Sequence, residues 1–196
     1  SLLQTVYANM TTLSIGRYES AKDVGYYSRG ESLAALPSTN ITGILGGVTY
    51  PILSKIQNDD KRLIAVYRKY IAITSMVIFF GMLLLAALAK PFIIAVLTEK
   101  WANSIIFLQI FCFALMFDHL CQLNLNILYV KGRSDLVLRL EVIKKTISIS
   151  MIIAAIPFGV LAICIARAIY TQIAVIINTY YTGKLYGLGY FEQVKD

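Results

Sequence analysis

The chain has 196 residues, of which 58% are hydrophobic and only 15% charged, with a mean hydropathy of +0.68. A soluble domain keeps about half its residues apolar and about a quarter charged, so this composition excludes an ordinary water-soluble fold and points to a bilayer as solvent. The formal net charge is +7, but the basic residues cluster between apolar runs, as positive-inside topology requires, and no nucleic-acid partner is expected.

A span needs roughly 20 apolar residues. That rule predicts about six segments: Leu2–Gly16, Ser28–Ile52, Ile71–Leu88 with an apolar tail to Leu97, Ile105–Tyr129, Leu136–Ile156 and Phe158–Thr182. Lys90-Pro91 breaks the third, because proline lacks an N–H and disfavours helix before it; a short interfacial helix to Leu97 should follow. The expected fold is an all-α multi-pass membrane protein, with residues 1–184 forming a six-helix lobe and 185–196 an amphipathic linker on the cytoplasmic surface. The connections "SKIQNDDKRLIAVYRKY" and "VKGRSDLVLRLEVIKK" are rich in Lys and Arg and the alternate ones are poor, which places both termini in the cytoplasm. Glu141 and Lys145, at i and i+4, should support the start of the fifth helix. The chain reads as part of a longer membrane protein.

The second segment carries the most informative residues. Arg29 and Glu31 point about 200° apart on a helix, so they cannot pair with each other. Asn40 follows Arg29 at about 20° in projection, and Pro37 should kink the helix. Two readings stand for Arg29: it snorkels to the headgroups, or it faces a wet cavity. Pairing with Arg17 on the first helix is the plainer role for Glu31. Gly43 and Gly47, four apart, form the small-xxx-small pattern of close helix packing.

Further along, Asp118-His119 interrupts the fourth segment. It is either a proton or cation site or a polar pair bonded to neighbouring helices. Gln122, Asn124 and Asn126 extend its polarity. Arg167, inside the sixth segment, costs about 2.5–3.5 kcal/mol to insert. With Arg29 it could make a positive interior suited to phosphate. Cys112, Cys121 and Cys164 lie in apolar runs without a CxxC or Cys/His pattern, so they read as small buried residues and no metal is assigned. No GxSxG, HExxH, Walker or Gly-rich dinucleotide motif occurs. No catalytic residue and no cofactor is expected.

Three stretches together resemble one family. "LSIGRYESAKDVGYYSRGESLAALPSTNITGILGGVTYPILSKIQNDDKRL", "AKPFIIAVLTEKW" and "LNILYVKGRSDLVLRLEVIKK" are similar to the bacterial polysaccharide flippases, the Wzx-type exporters of O-antigen, capsule and exopolysaccharide repeat units in the MOP superfamily. The chain departs from that pattern at Gly30-Glu31. The resemblance implies helices seven to twelve of a flippase, one of two lobes around a central cavity. It further implies alternating-access flipping of an undecaprenyl-diphosphate-linked oligosaccharide across the inner membrane. Arg29, Arg167 and Arg17 would then neutralise the pyrophosphate, Asn40 would line the cavity, and Asp118 would be a coupling-ion site. The partners implied are the lipid-linked oligosaccharide, the bilayer and the missing N-terminal lobe. A multidrug antiporter of the same superfamily and a membrane module without transport are the alternatives. A membrane glycosyltransferase should show a large loop with clustered acids or histidines, and none is present.

Overall fold

A computed structural model describes residues 20–195. The expected first span Leu2–Gly16 and the candidate Arg17 lie outside the described residues. Among those described, every regular element is helical.

Helix α1 (Ala21–Lys55) has 35 residues, about 52 Å of rise against a hydrocarbon core of about 30 Å. It begins before the expected Ser28, where the Ser20 side chain accepts the Asp23 N–H at 3.2 Å, an N-cap. The helix continues through Pro37 and Pro51. Side chains take up carbonyls around Pro37: Thr39 Oγ1 donates to Ala35 O at 2.7 Å and Asn40 Nδ2 to Leu36 O at 2.8 Å.

Helix α2 (Asp60–Ala87) starts well before the expected Ile71. Asp59 caps it, accepting the Arg62 N–H at 3.1 Å. The basic stretch expected as a connection is therefore mostly helix, and only the segment 56–59 turns. Helix α3 (Ala89–Leu97) follows at the expected break, with Pro91 in its first turn where a missing N–H costs little. A 3-10 turn, Glu99–Trp101, leads on.

The expected fourth span is two helices, α4 (Ser104–Leu115) and α5 (Asp118–Val130), separated at Met116-Phe117. Helix α6 (Ser134–Ala155) and helix α7 (Val160–Tyr186) match the last two expected spans. Inside α6, Glu141 pairs with Lys144, whose Nζ lies 2.5 Å from Glu141 Oε1, three residues away, in place of the expected Lys145. The exposed Arg133 guanidinium, hydrogen-bonded to Asp135, holds that carboxyl below the usual carboxylate range.

Asp60–Ala87, the broken segment Ser104–Val130, and Val160–Tyr186 are long and apolar enough to cross a membrane by length and composition. Helices α1 and α6 are also long enough but fall short on polarity. Helix α6 carries Arg139, Glu141, Lys144 and Lys145, and α1 carries Arg29, Glu31, Ser38 and Asn40. Large apolar side chains face outward: Met76 is 78% exposed and Phe80 69%, as lipid contact requires.

Among the described residues there are three apolar clusters, one of them the smaller group Leu125, Leu128, Leu136, Val137 and Leu140, and the two larger ones stand at opposite ends. One joins Tyr27, Ile78, Met82, Leu108, Phe111 and Ile163. The other joins Leu53, Leu63, Tyr67, Ile71, Ile127 and Val175. The break between α4 and α5 lies between them.

The residues that follow, expected as a linker over 185–196, are described to Lys195. Helix α7 runs to Tyr186 and ends on Gly187 at φ 69°, a left-handed cap that glycine adopts without a Cβ penalty. The chain then folds back as α8 (Tyr190–Lys195). Gln193 is only 3% exposed. Its amide exchanges hydrogen bonds with Asn124 at 2.8 and 2.9 Å, and Thr182 Oγ1 donates to the same Asn124 oxygen. The tail is a latch between α5 and α7.

Within the described residues, the closest helix approach at a glycine falls on Gly30. Helix α1 packs most extensively on α4, and a Cβ at Gly30 would lie 2.6 Å from Phe107 Cβ and 2.8 Å from Leu108 N. A Cβ at Gly43 or Gly47 would meet nothing within 4 Å. Gly30→Ala should therefore cost about 1–3 kcal/mol through overpacking, while Gly43→Ala should leave stability unchanged. Thermal unfolding of the full-length protein in detergent checks both.

Candidate functional site

The site is built around the break in the fourth span. Breaking a helix in hydrocarbon frees backbone groups that must find partners. Here the partners are side chains. Ser38 Oγ on α1 donates to Leu115 O at 3.2 Å. His119 Nδ1 lies 2.8 Å from Met116 O, and its Nε2 lies 2.8 Å from Ser75 Oγ on α2. A carbonyl only accepts, so the proton of the neutral ring sits on Nδ1 and Nε2 accepts from the serine. His119 is 1% exposed and packs edge-to-face on Phe79. Its ring thus joins α5 to α2.

Asp118 opens α5. An acid in the first turn complements the helix dipole. Asp118 and His119 do not bond each other. Among the described residues, no hydrogen-bond or ion-pair partner meets the Asp118 carboxylate. It faces two clefts at once. The first, about 390 Å³, lies between α1 and α5 and is lined by Ser38, Thr39, Thr42, Gly43, Gly47, Asp118, Gln122 and Asn126. Asp118, Gln122 and Asn126 follow at i, i+4 and i+8, so they share one face of α5. The two glycines leave the α1 wall bare. The second cleft, about 210 Å³, lies between α5, α6 and α7. Its polar lining includes Asp118, Gln122, Glu141, Lys144, Lys145, Ser148 and Thr171. Together they form a polar seam through an otherwise apolar lobe.

Glu31 has a partner on a distant element. Its carboxylate pairs with Arg167 on α7, and the same guanidinium donates to Tyr27 OH at 3.0 Å and stacks over Phe111 at 5.3 Å. This cluster ties α1, α4 and α7 together and offsets the Arg167 charge within the lobe. Arg29 lies elsewhere, exposed, with its guanidinium 5.4 Å from the Trp101 ring centre. The structure does not bring Arg29 and Arg167 into one positive interior. Nor does it join Arg29 to Asn40, which is exposed and bonds its own helix at Leu36.

Sequence reasoning missed Ser75, Tyr27, Lys144 and Lys145 as parts of these sites. For the lysines a signal existed: "LEVIKK" puts three charges in a segment long enough to span. For Ser75 and Tyr27 none did, since each is defined by a partner far along the chain. Cys112, Cys121 and Cys164 are free and buried.

A chain of long apolar helices with a polar seam at a broken span is an all-α multi-pass membrane protein. A family model described as polysaccharide biosynthesis protein matches residues 1–106, more than half of the chain, and the chain belongs to that family. It is 30% identical over 152 residues to an uncharacterized membrane protein in the cps region of Klebsiella pneumoniae, covering 78% of this chain and 31% of that protein. It is 26% identical over 195 residues to the lipopolysaccharide biosynthesis protein WzxC of Escherichia coli K12, covering 100% of this chain and 38% of that one. It is 26% identical over 135 residues to the teichuronic acid biosynthesis protein TuaB of Bacillus subtilis 168, covering 69% and 28%. The chain thus spans about a third of the length of these curated relatives. No solved structure matches it at a significant level.

The Glu31–Arg167 pair makes a direct prediction. Glu31→Ala strands a cation between helices and should lower stability by about 1.5–3 kcal/mol. Adding Arg167→Met should restore part of that loss, because an apolar replacement of both partners leaves no unpaired charge. A double-mutant cycle on thermal unfolding of the full-length protein reads the coupling.

Proposed function

We propose that this chain forms one lobe of an exporter that passes a lipid-linked oligosaccharide across the cytoplasmic membrane during surface polysaccharide synthesis. Membership in the polysaccharide biosynthesis family supports the setting. The observation that carries the reading is the polar seam. A seam of hydroxyls, amides and charged groups inside a membrane lobe is expensive unless something polar uses it. Thr39, Thr42, Gln122 and Asn126 offer the donors and acceptors that sugar hydroxyls match. Lys145, beside the Lys144–Glu141 pair, adds a positive charge on the other side of Asp118, toward which a phosphate or an acidic sugar would be drawn.

In this reading the lobe moves largely as a rigid body against a second lobe, opening the seam to each side in turn. The Glu31–Arg167–Tyr27 cluster keeps α1, α4 and α7 together during that motion. The end carrying Lys55, Lys61, Arg62, Lys131, Arg133 and Lys184 faces the cytoplasm by the positive-inside rule. Asp118 binds the coupling ion or proton, since its carboxylate stands without a partner and faces both clefts.

The unpaired Asp118 also favours a second reading, an ion-coupled antiporter for small molecules. One experiment separates the two. The full-length protein is expressed in a flippase-deficient host at matched membrane levels, as wild type, Gln122→Leu/Asn126→Leu, and Asp118→Asn. Export of lipid-linked sugar predicts that both variants cut surface polysaccharide by about tenfold or more, while a lipid-facing Ile169→Leu control restores it fully. If polysaccharide is indifferent to both variants but efflux of a cationic dye is lost with Asp118→Asn, the antiporter reading takes over.

A further inference from the structure

The end of the lobe opposite the basic one carries few cations. Among the described residues they are Lys22, Arg29, Lys90 and Lys100. Three of these converge on one aromatic platform. Lys22 Nζ sits 5.8 Å from the Tyr26 ring centre, and the Arg29 guanidinium sits 5.4 Å from that of Trp101. The two rings meet edge-to-face at 5.9 Å. Lys22, Gly25, Tyr26, Lys100 and Trp101 line an open cleft of about 450 Å³. Gly25 leaves its wall bare, since a Cβ there would meet only the Trp101 ring, at 3.9 Å.

Two further observations mark this cleft as built. Lys22, Arg29 and Lys100 have no ion-pair partner among the described residues, whereas Arg167, Lys144 and Lys131 all do. The nearby Asp23 is engaged at the start of α1, accepting from Ser20 Oγ at 2.6 Å. The backbone that delivers Lys100 and Trp101 is also unusual. Thr98 has φ 75° and ψ 168°, and it is the one non-glycine residue with positive φ among those described. That region belongs almost entirely to glycine, and such residues persist where the surroundings hold them. The strained turn after α3 brings Lys100 and Trp101 over the first turns of α1.

We infer that this cleft binds the phosphate of a membrane lipid at the headgroup level. Tryptophan and tyrosine rings favour that depth. The ammonium groups of Lys22 and Lys100, which line the cleft, bind phosphate as point charges, and the Arg29 guanidinium adds its charge from beside the Trp101 ring. The phosphate can come from a bilayer phospholipid or from a polyprenyl diphosphate carrier. The site stands without the export reading, because a phospholipid alone satisfies it.

The test titrates purified full-length protein in detergent with undecaprenyl diphosphate and with phosphatidylglycerol, read by native mass spectrometry. Undecaprenol and diacylglycerol are the neutral counterparts. Lys22→Gln/Arg29→Gln/Lys100→Gln should weaken binding of at least one phosphate lipid by about tenfold or more. The charge-keeping Lys22→Arg/Arg29→Lys/Lys100→Arg and the opposite-end Lys55→Gln/Lys61→Gln/Lys184→Gln should retain it, which separates lost charge from lost fold. Loss confined to undecaprenyl diphosphate identifies the carrier as the source. Loss of phosphatidylglycerol binding, alone or with the carrier, identifies the bilayer. The proposal fails if the triple Gln variant binds both phosphate lipids as wild type does, if wild type binds neither, or if the neutral counterparts bind equally.

Discussion

The break between Leu115 and Asp118 is the constraint on which the rest of the lobe depends. A helix interrupted inside a membrane must re-satisfy its carbonyls within protein. Ser38 from α1 and the ring of His119, itself held by Ser75 from α2, do this. Those contacts fix α1 and α2 against the broken span. They also leave the first residue of α5, Asp118, at a junction of two clefts. The polar seam and the clamping of the break are thus one structural decision, and the two apolar cores above and below it keep the break in place.

Charge in the lobe follows a consistent division. Arg167 and Lys144 lie inside and have carboxylate partners, Glu31 and Glu141. Each pair spares the membrane an isolated ion, and the first also staples three helices. Among the described residues, Asp118 is an interior carboxylate left without such a partner. The unpaired cations Lys22, Arg29 and Lys100 sit at the end, around Tyr26 and Trp101, where headgroups can neutralise them. Polarity thus appears in three places: pairs that hold the fold, a seam at the broken span, and a rim of cations around Tyr26 and Trp101.

Much of the fold was legible in the sequence because membrane helices announce themselves by length and apolarity. The starts of α6 and α7 and the break at Pro91 were read within a few residues. The extensions of α1 and α2 were missed because polar, capped turns look like connections when only hydropathy is scanned; Ser20 and Asp59 were the available caps. The break at Met116-Phe117 contains neither proline nor glycine. Its sign is Asp118, an acid where a helix N-terminus prefers one. The partner of Glu31 lies 136 residues away, and no local pattern encodes such a contact. Gly30 and Gly43 have the same side chain, and only the approach of Phe107 distinguishes packing from open wall.

The most direct test of the account is whether the seam holds water. In the full-length protein with its native cysteines replaced, single cysteines at Thr42, Gln122 and Asn126 would be compared with cysteines at the exposed, lipid-facing Met76 and Ile169. Labelling by a charged, water-borne thiol reagent in intact membranes is the readout. The account predicts that the seam positions react, that Met76 and Ile169 do not, and that producing the lipid-linked sugar slows the seam reaction. Seam positions as inert as the lipid-facing ones, with and without the sugar, would contradict it.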